Sequence, residues 1–387
     1  MLRKVWFRDA CFLLGLLLCV AALLSEPEQA VDAAKTGLSL CAGVIVPSLF
    51  PFLIVSALVI RLGMARYLRR FFAPVMGPLF GLSGGCASAL ALGMIGGYPV
   101  GARTAMELCR RGQIGRRETE RLLLFCNNCG PAFVFGVVGA GVFSSSRMGL
   151  CLYLIHIAAS LLIGILARVF LGPVPQEPSS AIQEAKSEPF SRAFTGSITD
   201  ALEATLHICA FLTCFTVLIR FAFFSGLIPA VSALAARIPG VSSQDAETML
   251  VGMIELSSGV WSLTGSAASL PAQAAMAAFL LGWAGLCVHC QVLSFTGESG
   301  LSVRPYLMGK FLHGLVAGAL TLLLCRVTPL RQSIAACYLE QVAHLTRQSF
   351  PRTLTRCSLL AIGLFLFAGA ICYSVQKRTG NRQRNGV

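Results

Sequence analysis

Residues 96–101, which read Gly-Gly-Tyr-Pro-Val-Gly, interrupt a long apolar segment of the chain. A second interruption, Cys-Asn-Asn-Cys-Gly-Pro, follows at 126–131. Glycine, proline and amide residues free backbone hydrogen-bonding groups inside an apolar run, and lipid cannot satisfy those groups. Such breaks therefore survive at membrane depth only where they line a cavity or a binding site.

The second half of the chain contains two interruptions in matching places. They read Glu-Leu-Ser-Ser-Gly at 255–259 and Cys-Val-His-Cys-Gln at 287–291. The spacing is constant, because 161 residues separate Cys126 from Cys287 and the same number separate Tyr98 from Gly259. Breaks in corresponding places of two halves predict the substrate site of a transporter that is built from inverted repeats.

Composition agrees with a membrane location. The 387-residue chain is 56% hydrophobic and 12% charged, with a mean hydropathy of +0.75. Soluble globular proteins carry about 25% charged residues, so we expect a polytopic membrane protein. The net charge of +14 lies in short runs between apolar segments, where basic residues orient spans and meet anionic lipid. The expected partners are membrane lipids, with no nucleic acid, and a homo-oligomer stays open.

Apolar stretches of about 20 residues predict the transmembrane helices. We expect an all-α fold of inverted repeats with broken helices and eight spans, at 10–25, 38–60, 122–143, 148–171, 198–224, 276–297, 306–326 and 357–375. Two interrupted segments predict re-entrant helical hairpins near 84–112 and 245–270. Basic residues flank the first of these segments on both sides, which favours a chain that enters and returns on one face.

This pattern divides the chain into five parts. The expected order is an N-terminal span with an outer loop (1–37), a first repeat (38–172), a cytoplasmic linker (173–197), a second repeat (198–326) and a C-terminal extension with a last span (327–387). The orientation of the basic stretch 326–356 stays open, because span parity places it on the outer side.

The first two breaks supply most of the candidate substrate-binding residues. Helix N-termini at a glycine-rich tip attract anions, and adjacent amides beside a proline favour a polar pocket. The alternatives are a packing kink at the tip and amide contacts between helices. The candidates here are Gly97, Tyr98, Pro99, Gly101, Asn127, Asn128 and Gly130.

The second pair of breaks supplies the remaining candidates. Ser257, Ser258, His289 and Gln291 are expected to contact substrate. Glu255 is a carboxylate inside an apolar segment, which is costly in a bilayer and indicates a function. It is the expected site of a coupling cation, a proton or a sodium ion, and we expect no other cofactor. A structural ion pair or a protonated acid is the alternative.

Other classes of function are weighed against transport. The pairs Cys126/Cys129 and Cys287/Cys290 could hold a metal or run dithiol chemistry. Cysteine is common in this chain, with 16 copies, and small buried packing residues are the simpler interpretation. No catalytic motif is visible, so we expect no enzyme and no metal. A channel and a non-transporting membrane scaffold remain as alternatives.

The motif Gly-Tyr-Pro-Val-Gly-Ala at 97–102 and the motif Asn-Asn-x-Gly-Pro at 127–131 occur together with Glu255 and with Val-His-x-Gln-Val at 288–292. In this combination, the chain resembles the YlbJ-type sporulation integral membrane family over roughly residues 38–325. That group contains a nucleoside-recognition, or gate, domain and is similar to concentrative nucleoside transporters. The resemblance implies a transporter of dipicolinic acid, a small aromatic dicarboxylate, in the outer forespore membrane of a spore-forming bacterium. A nucleoside or ion transporter of the gate-domain type is the alternative.

Overall fold

The computed structural model describes residues 2–174, 188–296 and 299–327. Within these ranges every regular element is helical, which confirms the predicted all-α class. The first part of the chain forms the helices α1 (Leu2–Ser25), α2 (Pro27–Leu40), α3 (Val46–Arg61), α4 (Ala65–Val75), α5 (Ala87–Gly96), α6 (Val100–Arg110), α7 (Arg116–Leu123) and α8 (Ser146–Leu171). The second part forms α9 (Phe190–Phe224), α10 (Leu227–Ala235), α11 (Ser243–Ile254), α12 (Leu256–Ser262), α13 (Leu270–Trp283), α14 (Gly285–Thr296) and α15 (Arg304–Val327).

Besides a short 3-10 helix at Gly84–Cys86, the first part contains three segments of π-helix. They are Cys41–Ile45, Met76–Phe80 and Phe133–Val142. The first of them joins α2 to α3 without a break, so that Pro27–Arg61 forms one long helical element. The third follows the second interruption and leads into α8.

The segment predicted as an outer loop is helical in the structure. Pro27 occupies the first turn of α2, where its missing N–H costs nothing, and Glu28 lies beside the positive end of the helix dipole. Ala30 and Ala33 are buried, and Gly37 packs against Thr213 of α9. Glu28 and Asp32 therefore belong to the exposed face of an amphipathic helix rather than to a loop, and Glu26 immediately precedes this helix.

Seven of the eight predicted spans fall within the described residues, and fewer helices there are long and apolar enough to cross a membrane. By length and composition, four helices of the described residues could cross a membrane, at Ser146–Leu171, Phe190–Phe224, Leu270–Ser294 and Arg304–Val327. A fifth span results if Leu13–Ser25 and Pro27–Gly43, which bend by 98°, count as one. The stretch 122–143 is not a continuous helix, since α7 ends at Leu123 and the chain stays irregular up to Gly130.

Two further expectations concern the ends of the predicted parts. The last span at 357–375 and the basic stretch from 328 to 356 lie outside the described residues, as does 175–187 of the linker. The linker ends earlier than expected, because α9 already begins at Phe190.

The two halves of the described chain follow the same order of elements. Each contains a long helix (α3 or α9), a short helix (α4 or α10) and a pair of short helices with a break between them. A helix that ends at a second break (α7 or α13), a further helical segment (the π-helix Phe133–Val142 or α14) and a final long helix follow. The pair is α5 and α6 in the first half and α11 and α12 in the second. The final long helices are α8 and α15, which pack against each other.

Candidate substrate site

The tip between α5 and α6 approaches the second break very closely. Gly97 has a φ of +78° and lies against Gly130, so that a Cβ at residue 97 would be 2.9 Å from the Gly130 nitrogen. Gly101, one turn further, faces the carbonyl group of Cys126. Gly97 requires both the conformational freedom and the small size of glycine, and Gly101 requires the small size. The bond between Tyr98 and Pro99 is cis, and Pro99 immediately precedes α6.

The side chains of this tip and of the second break turn toward the other half. The Tyr98 hydroxyl donates to the carbonyl oxygen of Leu281 near the end of α13, at 2.7 Å. Asn127 and Asn128 are completely buried. Asn127 Oδ1 accepts from the amide of Ala102 at 3.3 Å, which links the break to the first turn of α6.

Lys310 of α15 lies at the centre of this region, and the sequence-based candidates did not include it. The side chain is fully buried. Its Nζ donates to the Tyr98 hydroxyl at 2.7 Å and to the backbone oxygen of Asn127 at 2.9 Å, and it lies 3.3 Å from Nδ1 of His313. The same nitrogen is 4.8 Å from the centre of the Tyr98 ring. In the described parts of the chain, no carboxylate lies within ion-pair distance of this amine.

Two buried histidines flank Lys310. His313 Nε2 lies 2.9 Å from the backbone oxygen of His156, which can only accept, so this nitrogen carries the proton. Its Nδ1 therefore presents a lone pair to Lys310. His156 Nε2 accepts from the amide of Cys129 at 3.0 Å, which places the proton of the neutral ring on Nδ1. The two imidazole rings lie 4.3 Å apart between their centres.

A second polar group surrounds His289 of α14. His289 Nδ1 lies 3.0 Å from the hydroxyl of Tyr306, and the same hydroxyl accepts from Asn127 Nδ2 at 3.4 Å. His289 Nδ1 is the only acceptor for the Tyr306 hydroxyl among the described residues, so we assign the hydroxyl proton to this contact and the imidazole proton to Nε2. The edge of the His289 ring meets Trp283 at a centroid distance of 4.3 Å.

Three polar atoms of this cluster are buried without a hydrogen-bond partner among the described residues. They are Asn128 Oδ1, His156 Nδ1 and His289 Nε2. Buried polar atoms are almost always paired with protein, ordered water or a ligand, so three such atoms make this region the candidate site. With the tautomers given above, two of the three are N–H donors. We define the polar break cluster as Tyr98, Asn127, Asn128, His156, His289, Tyr306, Lys310 and His313.

Glu255 lies at the predicted break, where its carboxylate contacts backbone amides. The residue is buried and has extended backbone angles between α11 and α12. Its two carboxylate oxygens accept from the amides of Ser257 at 2.9 Å and Ser258 at 2.6 Å. Glu255 is thus the N-cap of α12, where backbone amides stabilise its negative charge. Its role in coupling stays a prediction.

Gln291 and the cysteine pairs lie in tightly packed surroundings. Gln291 Nε2 lies 3.6 Å from the sulfur of Cys287. Cys126, Cys129 and Cys287 are buried, and all four cysteines of the two pairs are free thiols. Among the residues that the structure describes, no group of three or more His, Cys, Asp or Glu side chains could hold a metal ion.

Two clefts in the second half are separate from the polar break cluster. One of about 520 Å³ lies between α10, α11 and α13, and a smaller one of about 260 Å³ lies beside α9 and α11. Their walls are mainly apolar, and none of the eight residues of the cluster lines them. We therefore place the candidate site at the breaks and not in these clefts.

A signal for the missed residues is present in the sequence. Tyr306, Lys310 and His313 follow one another at helical spacing, four and then three residues apart, and therefore share one face of α15. A lysine inside an apolar span indicates a function for the same reason as the carboxylate of Glu255 does. His156 lies in the middle of α8 and gives a similar signal.

Similarity to a known protein confirms the resemblance to the YlbJ-type family, and the nucleoside-recognition part of that resemblance stays a prediction. Over 328 residues, covering 80% of each chain, the protein is 29% identical to the sporulation integral membrane protein YlbJ of Bacillus subtilis (strain 168). No family model matches the chain, and no solved structure matches it. The chain is accordingly an integral membrane protein that is similar to a sporulation protein.

Proposed function

We propose that this protein transports a small anionic metabolite, dipicolinic acid, across a membrane during sporulation. The observation that carries the proposal is the excess of hydrogen-bond donors in the polar break cluster. The ammonium of Lys310 has three neutral acceptors, two imidazole N–H groups have no partner, and the described residues provide no acid to balance the charge. A buried charge without a counter-charge is costly, and a carboxylate on the cargo would supply it.

The charge also favours an acid over a nucleoside as cargo. A neutral nucleoside would leave the Lys310 ammonium uncompensated inside the protein, whereas a carboxylate forms short charge-assisted hydrogen bonds with N–H donors. Asn128 Oδ1 is an additional acceptor at the same place. The cluster therefore suits a small acid that also carries one hydrogen-bond donor or is partly protonated.

We further propose that the two halves are inverted repeats that alternate access to the site. Packing between the halves is reciprocal, which supports a pseudo-two-fold relation. The short helix α12 packs against the π-helix Phe133–Val142, while its counterpart α6 packs against α14. The counterpart pairs α7/α13 and α8/α15 show the same reciprocity, because α13 packs against α8 and α7 packs against α15. Rocking of one repeat against the other around a fixed site is the common mechanism of such transporters.

The biological setting comes from the relative and from the family resemblance. The relative's name describes a sporulation integral membrane protein, and the resemblance implies the outer forespore membrane. In this setting the protein moves dipicolinate without changing it chemically. A channel would move the same anion without saturation, and a scaffold would move none.

The proposal is tested with purified protein in lipid vesicles. We expect saturable uptake of radiolabelled dipicolinate that excess unlabelled dipicolinate inhibits and excess uridine does not. We also expect dipicolinate at a hundred times its Kd to stabilise the purified protein by about 2.7 kcal/mol, read as a higher melting temperature. Empty vesicles are the control. Uptake that does not saturate favours a channel, uridine uptake favours the nucleoside alternative, and no binding to any ligand contradicts transport.

Replacing Asn127 or Asn128 with alanine should lower dipicolinate uptake about tenfold or more, equivalent to about 1.4 kcal/mol of lost ligand interaction. The cost in stability should stay near 1 kcal/mol. For Asn128 the reason is visible in the structure, since the Phe125 oxygen that it contacts also accepts from Ser160 Oγ at 2.7 Å. Melting temperature and uptake are measured together, with the exposed amide variant Gln244→Ala as control. Unfolded variants would show that the amides are structural.

Replacing Cys126, Cys129, Cys287 and Cys290 together with alanine should leave uptake within about twofold of the unchanged protein, because these thiols act as small packing groups. Alanine is preferred to serine since three of the four positions are buried. Uptake and bound metal are measured on the same preparation. Stoichiometric zinc in the unchanged protein, or loss of uptake in the variant, would establish the metal or redox alternative.

A further inference from the structure

We infer that Lys310 and His313 together hold the coupling proton, and that this proton moves with the anion. The inference rests on the proposed function, because it assigns the coupling ion of the same site. It starts from one contact, in which the Lys310 Nζ and the His313 Nδ1 lie 3.3 Å apart with both side chains fully buried.

The directions of the hydrogen bonds fix what this pair can do. His313 Nε2 is held as a donor by the His156 oxygen, so only Nδ1 can receive a proton. Tyr98 donates to Leu281 and therefore offers a lone pair to Lys310. The excess proton is consequently either on the amine, as Lys-NH₃⁺ facing a neutral imidazole, or on Nδ1, as a neutral amine facing an imidazolium. Moving it between the two breaks one N–H bond, forms another and needs no other reactant.

Among the described residues, no acidic side chain near Lys310 competes with Lys310 and His313 for the proton. From the tip, Lys310 meets Tyr98, and from the second break it faces Cys126 and Cys129, which are neutral thiols in an apolar environment. From α8 it is close to His156, from α14 to His289, and from α15 itself to Tyr306 and His313. None of these groups is a carboxylate.

Anion binding and proton binding are therefore linked. A carboxylate interacts favourably with the protonated pair and gains much less from a neutral one, so each ligand raises the affinity of the site for the other by the same factor. Loss of the proton also leaves the amine with two N–H groups for its three acceptors, which weakens the contacts to the Tyr98 tip and to the second break. The pair thus connects charge to the position of the hairpin tip.

The sequence-based candidate for coupling, Glu255, is the rival. Its oxygens accept from the amides of Ser257 and Ser258, and no described contact joins it to Lys310. The two assignments differ in a measurable way, since each predicts that a different variant loses the dependence on a proton gradient.

The experiment measures proton movement and anion exchange in the same vesicles. With a pH indicator inside, wild-type vesicles should take up dipicolinate faster under an inward proton gradient and should acidify as they do so. His313→Gln keeps a donor for the His156 oxygen but has no basic nitrogen. It should lose the stimulation by the gradient and the acidification, so that uptake with the gradient falls to the rate of uptake without it, whatever the rate at which this variant exchanges labelled for unlabelled dipicolinate. His207→Gln, at an exposed histidine of α9, is the matched control and should behave like the wild type.

Several outcomes would overturn the inference. They are wild-type uptake without acidification, a His313→Gln protein that keeps proton-driven uptake, or loss of proton-driven uptake in Glu255→Gln alone. Failure of the proposed function looks different, because the wild type would then move no dipicolinate at all. In that case ¹⁵N-labelled histidine decides, since the chain has five histidines and His313→Gln identifies one set of signals. The pH at which the Nδ1 signal of His313 changes should move in Lys310→Met, and an unchanged signal would refute the shared proton.

Discussion

Replacing Lys310 with methionine should abolish dipicolinate uptake and leave the protein folded. The ammonium is the only charge that the described residues bring to the polar break cluster. Truncating one member of a buried charge pair typically costs about 2–5 kcal/mol, so uptake should fall at least about thirtyfold. Stability should hardly change, because replacing a buried charge with an apolar side chain of similar volume is often neutral or stabilising. The melting temperature should stay within about 3 °C of the wild type.

The control is Lys35→Met, which removes an ammonium from an exposed position of α2 and should not affect uptake. Lys310→Arg is informative as well, since it keeps the charge but adds volume to a fully packed position and should retain only part of the activity. Uptake near the wild-type rate in Lys310→Met would contradict the anion site. A large fall in melting temperature would show that the three hydrogen bonds of Lys310 serve mainly to hold the breaks together.

Replacing Gly101 with alanine should destabilise the protein severely. A Cβ at this position would overlap the carbonyl oxygen of Cys126 and lie 2.9 Å from the Cα of Gly93. Backbone atoms cannot rotate away as a side chain can, so the cost should reach or exceed the upper end of the usual 1–3 kcal/mol for overpacking. The expected result is a lower melting temperature, little folded protein after detergent extraction and no uptake.

The matched control is Gly15→Ala in α1, where no atom lies within 4 Å of the added methyl group. Alanine is normally favoured over glycine in a helix by about 1 kcal/mol, so this variant should be as stable as the wild type or more stable. The same substitution then has opposite effects at two helical positions. A Gly101→Ala protein that melts like the wild type would mean that the tip and the second break are farther apart than described.

The sequence was sufficient for the class of fold and for the breaks at 96–101, 126–131 and Glu255. The predicted break at 287–291 was wrong, because these residues belong to α14 and the helix is interrupted at Ala284 instead. Low charge content predicts a membrane protein, and glycine, proline and asparagine in apolar runs predict irregular backbone there. The number of spans could not be obtained in the same way. A hydropathy window counts apolar residues and does not detect that α7 ends at Leu123 or that α12 has only seven residues. Short helices that pack inside a bundle are as apolar as a true span.

The candidate site was predictable only in part. Tyr98, Asn127, Asn128 and His289 belong to the polar break cluster, and the breaks themselves indicated them. Lys310 was missed because one lysine hardly lowers the hydropathy of a 24-residue helix. Glu255 gave the clearest signal of all, but a carboxylate can cap a helix inside the membrane as well as bind a cation. Sequence alone does not distinguish these roles, since the decisive partners are backbone amides.

The order of synthesis gives the contact between Lys310 and Asn127 a consequence for biogenesis. The lysine follows the asparagine by 183 residues. At a synthesis rate of 5–20 residues per second, Lys310 is therefore added roughly ten to forty seconds after Asn127. During that time lipid cannot offer a partner to the polar groups of the break. The unfinished first half therefore has to remain close to the insertion machinery, and a stalled chain would be a ready substrate for membrane proteases.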